Sequence, residues 1–476
     1  MYCQLEALRH CLPPSVKGIL DGLPESLDET YERVLRNINK ANREHARRLL
    51  QCITVAVRPL YVEELAEVLA VDFDEARRGG IPKSKPDWRW ADEHEAVLST
   101  CSSLIAIVDD GHSQVVQFSH FSVKEFLTSD RLARSSEDIF RYHILPSPAH
   151  TILAQACLGV LLRLDEHHIY VVHDISLAKY AAQHWVNHAQ FEDVSPHIQG
   201  VMEYFFDADK PHWAAWLRMY DVDDENWLFF TPLQVIPGAV PLYYAALCGF
   251  YDLAEHLIVK NPDHVNTRGG RLVTPLVAAL RRNHFRLAGL LHTHGADLNA
   301  QGYAGRPPLN LASFYGLVDV VQWLLDHGAD VNFRNDSGSV SLHAACDGGQ
   351  LEVSRMLLEH NVDVNARGRW GLVPLHFAVI STHLTGDPSK IMQLLLDRGA
   401  DANARDDDGC TPLHNSSWWQ REDNEPLKGT IEDSRLLLDY GANINAENNE
   451  GKTPLCLALE NGHHEMAKFL SDLGAR

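Results

Sequence analysis

The sequence predicts a mainly α protein: a helical and winged-helix-like N-terminal region followed by an α-solenoid. Three observations carry this. A Pro-Leu marker and a Gly-Ala-Asp-x-Asn marker recur in phase, near every 33 residues, through the second half. Apolar residues follow helical spacing in both halves. One pair of short apolar runs around Asp109-Asp110-Gly111 interrupts the helices of the first half.

Taken in order, Ser26-Leu27-Asp28-Glu29 has the form of a capping box, opening a helix that carries Tyr31, Val34, Leu35 and Ile38. Pro59 to Leu69 reads as an amphipathic helix. Residues 79–90 hold two Gly, two Pro and two Trp and read as a loop. A helix around Glu93 to Cys101 leads into Leu104–Val108, which the Asp-Asp-Gly turn returns as Val115–Phe118. Ser122-Val123-Lys124-Glu125 is expected to cap a final helix. The expected organisation is 1–135 for this helical and winged-helix-like region, 136–236 for a helical linker, and 237–476 for the repeats.

Pro-Leu stands at 241, 275, 308, 374, 412 and 454, with Ser341-Leu342 filling the gap, so the steps are 34, 33, 33, 33, 38 and 42. Pro suits the first helical turn, where its missing donor costs nothing. Small residues such as Ala278-Ala279 let helices approach, and Val320, Val321, Leu324 and Leu325 give the second helix an apolar face. Gly then ends that helix, and Asp or Asn suits the hairpin. One copy cannot bury its own face, so copies must stack. With Thr411-Pro412-Leu413-His414 complete and Val373-Pro374-Leu375-His376 partial, the pattern resembles the ankyrin repeat, in seven copies with the first and last atypical. Two copies carry five and nine extra residues, near Ser381–Lys390 and Gln420–Thr430, expected to be loop drift between helices.

The first half resembles the post-ATPase region of fungal NACHT proteins, which are STAND-type, NOD-like receptors. The resemblance lies in Leu23–Tyr31, Arg58-Pro59-Leu60 and Phe118–Leu127, with Tyr180–Trp185 and Pro211–Leu217 similar to ankyrin members of that group. It implies a nucleotide switch followed by helical and winged-helix parts and then repeats. It also implies that His120, within Phe118-Ser119-His120-Phe121-Ser122, approaches bound ADP phosphates when an NTPase module is present. The family's phosphate loop, G-x-x-x-x-G-K-[ST], does not occur in the sequence. The chain is expected to begin after that module, with His120 a leftover or packed residue, no cofactor, and no tight nucleotide binding.

Composition excludes several classes. Lys and Arg number 42 against 64 Asp and Glu, a net charge of −22, and no basic run exceeds two residues. Nucleic acid and anionic membranes need a local cationic surplus, so neither is an expected partner. No 18-residue apolar run and no basic-then-apolar leader is present, and the nine Cys are scattered without a C-x-x-C pair. A reduced, cytoplasmic protein is the expectation. His184 and His188 have metal-ligand spacing but no third ligand. The acidic run at 221–226 lacks the Gly and Glu of a calcium loop. His284, His292 and His294 fall in repeat positions, and Cys410 with His414 lacks an orienting group. All read as structural, and no enzyme is expected.

A non-enzymatic interaction protein remains, with a protein or peptide in the concave groove implied by the ankyrin resemblance. Numbering each copy so that Pro of Pro-Leu is position 7, the end of the first helix (positions 13 and 14) is expected to face that groove. Arg281 and Arg282, Phe314 and Tyr315, Asp347 and Gly348, and Trp418 and Trp419 stand there. The hairpins add Arg334, Arg367 and Arg405 at position 33, with Tyr303, Arg369 and Trp370 at positions 2 and 3. Aromatic and Arg side chains are enriched in binding hot spots. A peptide with apolar and acidic residues would fit; the competing expectation folds the nine-residue insert over Trp418 and Trp419 and pairs the arginines with Asp336, Asp407 and Asp408.

Overall fold

The computed structural model describes residues 26–73, 80–84, 97–98, 101, 103–111, 113–164, 175–207, 209–210, 212–220, 222, 239–302, 305–380, 388–418 and 430–476. The chain forms two compact units, Met1–Phe229 with Cys248–Lys260, and Phe230–Leu247 with Asn261–Arg476.

In the first unit Ser26 caps the helix Leu27–Asn37, its Oγ accepting from Glu29 N at 3.2 Å. The helix Arg43–Val55 follows. The helix expected from Pro59 starts only at Val62, and Leu60–Tyr61 are a strand instead. Pro59 lacks a donor, and the buried Glu64 carboxylate fixes the start by accepting from Tyr61 N at 2.9 Å and from both Arg58 amino groups at 2.8 and 2.6 Å. The expected hairpin, Ile105–Asp109 with Gln114–Phe118, thereby gains a third antiparallel strand, with Leu60 opposite Val116.

Two further expectations change. Within the segment read as a loop, Lys83–Ser84 pairs with Val71–Asp72. The last helix of the motif is Phe121–Leu127, and its cap is His120, whose Nδ1 accepts from Ser122 N at 3.3 Å; Ser122 lies inside the first turn. Of the helix expected around Glu93–Cys101, only Val97, Leu98 and Cys101 lie within the described residues, and they are helical.

The linker supplies the helices Pro146–Leu161, Ala178–Ala189, Ser195–Phe205 and His212–Met219. They enclose an aromatic core around Trp185, whose ring centroid lies 5.6, 6.1, 5.4 and 5.4 Å from Phe205, Phe206, Trp216 and Phe250. Trp216 Nε1 donates to Ala182 O at 2.9 Å, which satisfies its buried donor. Phe250 leads into Tyr251–Lys260, the second helix of the first copy by period, which packs in this unit through Lys260 on Asp207 at 3.2 Å.

In the second unit Pro241–Leu247 precedes six helix pairs: Pro275–Arg281 with Phe285–Thr293, Pro308–Tyr315 with Val318–Asp326, Ser341–Asp347 with Leu351–Glu359, Pro374–Ile380 with Pro388–Asp397, Pro412–Trp418 with Thr430–Asp439, and Pro454–Glu460 with His464–Asp472. From Pro308–Tyr315 onward first helices pack on first helices and second on second, so those apolar faces are buried by their neighbours. Leu276, Leu342, Leu375 and Leu413, like Leu324 of the second helix, are fully buried. Gly295, Gly328, Gly399 and Gly441 end second helices at φ 86–89°, and Asn361 does the same at φ 60°, as a residue tolerant of that region can.

Candidate interaction surface of the repeat array

Three ladders of side-chain bonds align the copies. The histidine of the Pro-Leu-His signal is the first. Nδ1 of His343, His376 and His414 accepts from the backbone N three residues earlier at 3.0–3.2 Å, while Nε2 meets the next copy's carbonyl at Leu372, Cys410 and Lys452, at 3.2, 3.2 and 3.1 Å. Each is therefore a neutral ring with Nε2–H donating. Burial is the main cause that pushes His343 and His376 down to about 4, against the opposing effect of the carbonyls they bond; His414 is lowered likewise.

Asparagine makes the second ladder. Oδ1 of Asn266, Asn299, Asn332, Asn365 and Asn403 accepts the backbone N–H of Asp297, Asp330, Asp363, Asp401 and Asn443 in the next copy, at 2.7–3.2 Å. Those Asp and Asn residues cap their own turn two residues on, as Asp330 Oδ1 does for Asn332 N at 2.9 Å. The Gly-Ala-Asp-x-Asn marker is thus a paired turn and tie.

Arginine makes the third. Arg334, Arg367 and Arg405 donate to the carbonyls of Arg367, Arg405 and Glu447 at 2.7, 2.7 and 2.8 Å, and Arg367 also reaches Asp407 at 3.0 Å. The column is held mainly by carbonyls rather than by the aspartates. Its guanidinium groups are exposed at the hairpins with donors to spare.

Among the other candidates, Arg281 and Arg282 are half-buried at the end of Pro275–Arg281. Burial raises the Tyr315 hydroxyl to about 12, with Arg306 and Arg281 opposing it. Phe314 and Tyr315 sit edge to face with centroids 5.0 Å apart, both half-buried. Trp370 is 62% exposed, holds φ 55°, and carries the Arg369 guanidinium 3.9 Å above its ring. Tyr303, Trp419 and the Trp418 side chain lie outside the described residues, as do most of both inserts.

Outside the array, His120 is exposed, 2.7 Å from Ser122 Oγ, which bonds the Tyr31 hydroxyl at 2.8 Å. His188 is buried with both nitrogens engaged, by His150 Nδ1 at 2.8 Å and the Tyr180 hydroxyl at 2.9 Å, and burial drives its pKa down to about 3. His184 instead lies against the Tyr180 ring at 4.8 Å. The i, i+4 spacing of the two histidines thus serves packing. Burial raises the Cys410 thiol, and His414 bonds Thr411 and Lys452 rather than the sulfur. The sequence reading missed the carbonyl ladder and the Arg58–Glu64 pair. The first was visible as Arg recurring after Asn-x at the repeat period.

Family models match both halves. Ankyrin repeats match residues 242–335, 330–406 and 384–476, and the winged helix domain of GPI inositol-deacylase matches residues 15–138. The chain is 30% identical over 302 residues to azaphilone pigments biosynthesis cluster protein L of Monascus ruber, covering 59% of this chain and 61% of that protein. It is 37% identical over 81 residues to alpha-latrocrustotoxin-Lt1a of Latrodectus tredecimguttatus and 35% identical over 88 residues to ankyrin repeat protein nuc-2 of Neurospora crassa. Those matches cover 17% and 18% of this chain, and 6% and 8% of the two proteins. The chain spans less than two thirds of the first relative and under a tenth of the other two.

Proposed function

We propose, for a chain that joins a winged-helix domain to ankyrin repeats, a non-enzymatic role as a protein-binding scaffold whose array takes a peptide with apolar and acidic residues. Trp370 carries this reading. A left-handed backbone costs a large L-residue about 1–2 kcal/mol, and here that strain presents an indole, topped by Arg369, to solvent. The turn itself is tied to the next copy, the Trp370 carbonyl accepting from Asp407 N at 3.0 Å, but core packing gives no return for the indole. Phe314, Tyr315, Arg281, Arg282 and the guanidinium column of Arg334, Arg367 and Arg405 extend the surface, and Tyr303, Trp418 and Trp419 belong to it by register. Short random peptides displayed on phage and selected on the full chain test the proposal. Enriched sequences should pair acidic with apolar residues and lose about 2 kcal/mol or more of binding on Trp370→Ala, the hot-spot range. Equal recovery of peptides on Trp370→Ala would sink it.

The winged-helix match favours a second reading. In it, the region around His120 regulates the array as part of a nucleotide-switched, NOD-like receptor of fungal self and non-self recognition, acting in the cytoplasm with an NTPase module not contained in these 476 residues. Calorimetry with Mg-ATP is then expected to give no sub-micromolar binding to this chain alone. Tight binding would overturn the division of labour assumed in both readings.

A further inference from the structure

The arginine column has a gap. Counting back from Arg334 by the repeat period gives Gln301 and then Arg268. From Arg334 onward, each copy's guanidinium closes the seam to the next hairpin through a carbonyl. At the two earlier steps no such strut forms: among the described residues the side chains of Arg268 and Gln301 make no hydrogen bond or ion pair, and both are exposed. A second departure falls at the same seam. The residue after the ladder asparagine is Ala300, Ala366, Ala404 and Ala446 in four copies, the small Thr267 in the first, and the aromatic Phe333 in the third.

Both departures line one cleft of about 600 Å³, bounded by Arg268, Gln301, Phe333, Thr274, Asp297 and Asn299. This lies within the range of small-ligand sites. Its chemistry is specific. Arg268 offers an unpaired planar fork that matches a carboxylate in two parallel bonds. Phe333 offers a half-buried aromatic face. Asp297, whose Oδ1 accepts from Asn299 N at 2.8 Å, places one anion in the same cleft. One cation beside one anion favours a singly charged carboxylate over a dianionic phosphate.

We propose that this seam is a binding site for an acidic side chain of a linear peptide, with the peptide's neighbouring apolar side chain against Phe333. The site rests on the reading of the array as a peptide binder and adds where the acidic residue goes. The closing experiment uses fluorescein-labelled synthetic copies of phage-selected peptides, read by anisotropy against the full chain. Arg268→Gln should weaken binding at least tenfold. Changing the peptide's Glu or Asp to its amide should weaken binding to the wild type equally and have no further effect on Arg268→Gln. The double change Gln301→Arg with Phe333→Ala rebuilds the pattern of the other copies, so it should keep the thermal midpoint while losing the peptide to the same degree. Full affinity in Arg268→Gln, or equal affinity for a phosphorylated peptide without carboxylates, would overturn the site. Loss in Trp370→Ala with full affinity in Arg268→Gln removes the cleft and leaves the wider surface standing. Enrichment of no peptide at all removes both.

Discussion

His343 and His376 are held neutral because a proton on Nδ1 would face a backbone N–H inside a buried turn. Their pKa values near 4 lie below the unfolded value of about 6.5, so the unfolded chain binds more protons between those limits. The stability they contribute is complete above about pH 6.5 and is lost as pH falls through 4, at up to about 1.4 kcal/mol per pH unit for each ring. Urea unfolding at pH 7, 6, 5 and 4 should show the slope, and replacing both rings by Gln should remove roughly two protons' worth of it. Trp370 makes the opposite case. Trp370→Gly relieves left-handed strain but adds backbone freedom, costs of about 1–2 and 0.5–1 kcal/mol. Thermal unfolding should therefore stay within about 1 kcal/mol of wild type, or rise, while peptide binding is lost. A large destabilisation would make the indole structural. The Pro-Leu-His signal exposed His376 in the sequence, whereas His343 stands in the degenerate copy Ser341-Leu342 and was not singled out. Their bonding was hidden, because it needs the carbonyl of a copy about 30 residues away.

An apolar stripe of two turns made Val318–Asp326 legible in the sequence, whereas the helix Arg43–Val55 was not read singly and the shortest strands were missed. Leu60–Tyr61 is two residues long and continues into a helix, so no alternation announces it. Its partner strand lies more than fifty residues away. The carboxylate of Glu64, not the pattern of apolar residues, sets where strand gives way to helix. Leu324, fully buried in its second helix, tests the register that the period implied. Leu324→Ala should cost about 2–5 kcal/mol, as truncated core leucines do, in equilibrium unfolding of the full chain. A loss below about 0.5 kcal/mol, the scale of a surface change, would displace the register. Arg367→Ala tests the strut instead. Its bonds are exposed, so the cost should stay near 1 kcal/mol or less, the net worth of an ordinary hydrogen bond.

Across the whole chain, the period supplied the array and its stacking, while the helix Tyr251–Lys260 shows its limit. By sequence it is the second half of the first copy, yet its contacts are with the linker helices, because Phe250 completes the aromatic core at Trp185. Periodicity records ancestry and length; it does not record which neighbour a helix finds. The ladders carry a direction as well. Histidine, asparagine and arginine each reach from one copy to the backbone of the copy after it, and Arg476 N closes the series on Asn445 Oδ1 at 2.7 Å. The ladder bonds of a copy therefore close only when its successor exists. On the ribosome these ties form one copy behind synthesis. The buried Nε2–H of His414 waits for Lys452 O, and a nascent chain halted between them holds an exposed and incomplete end.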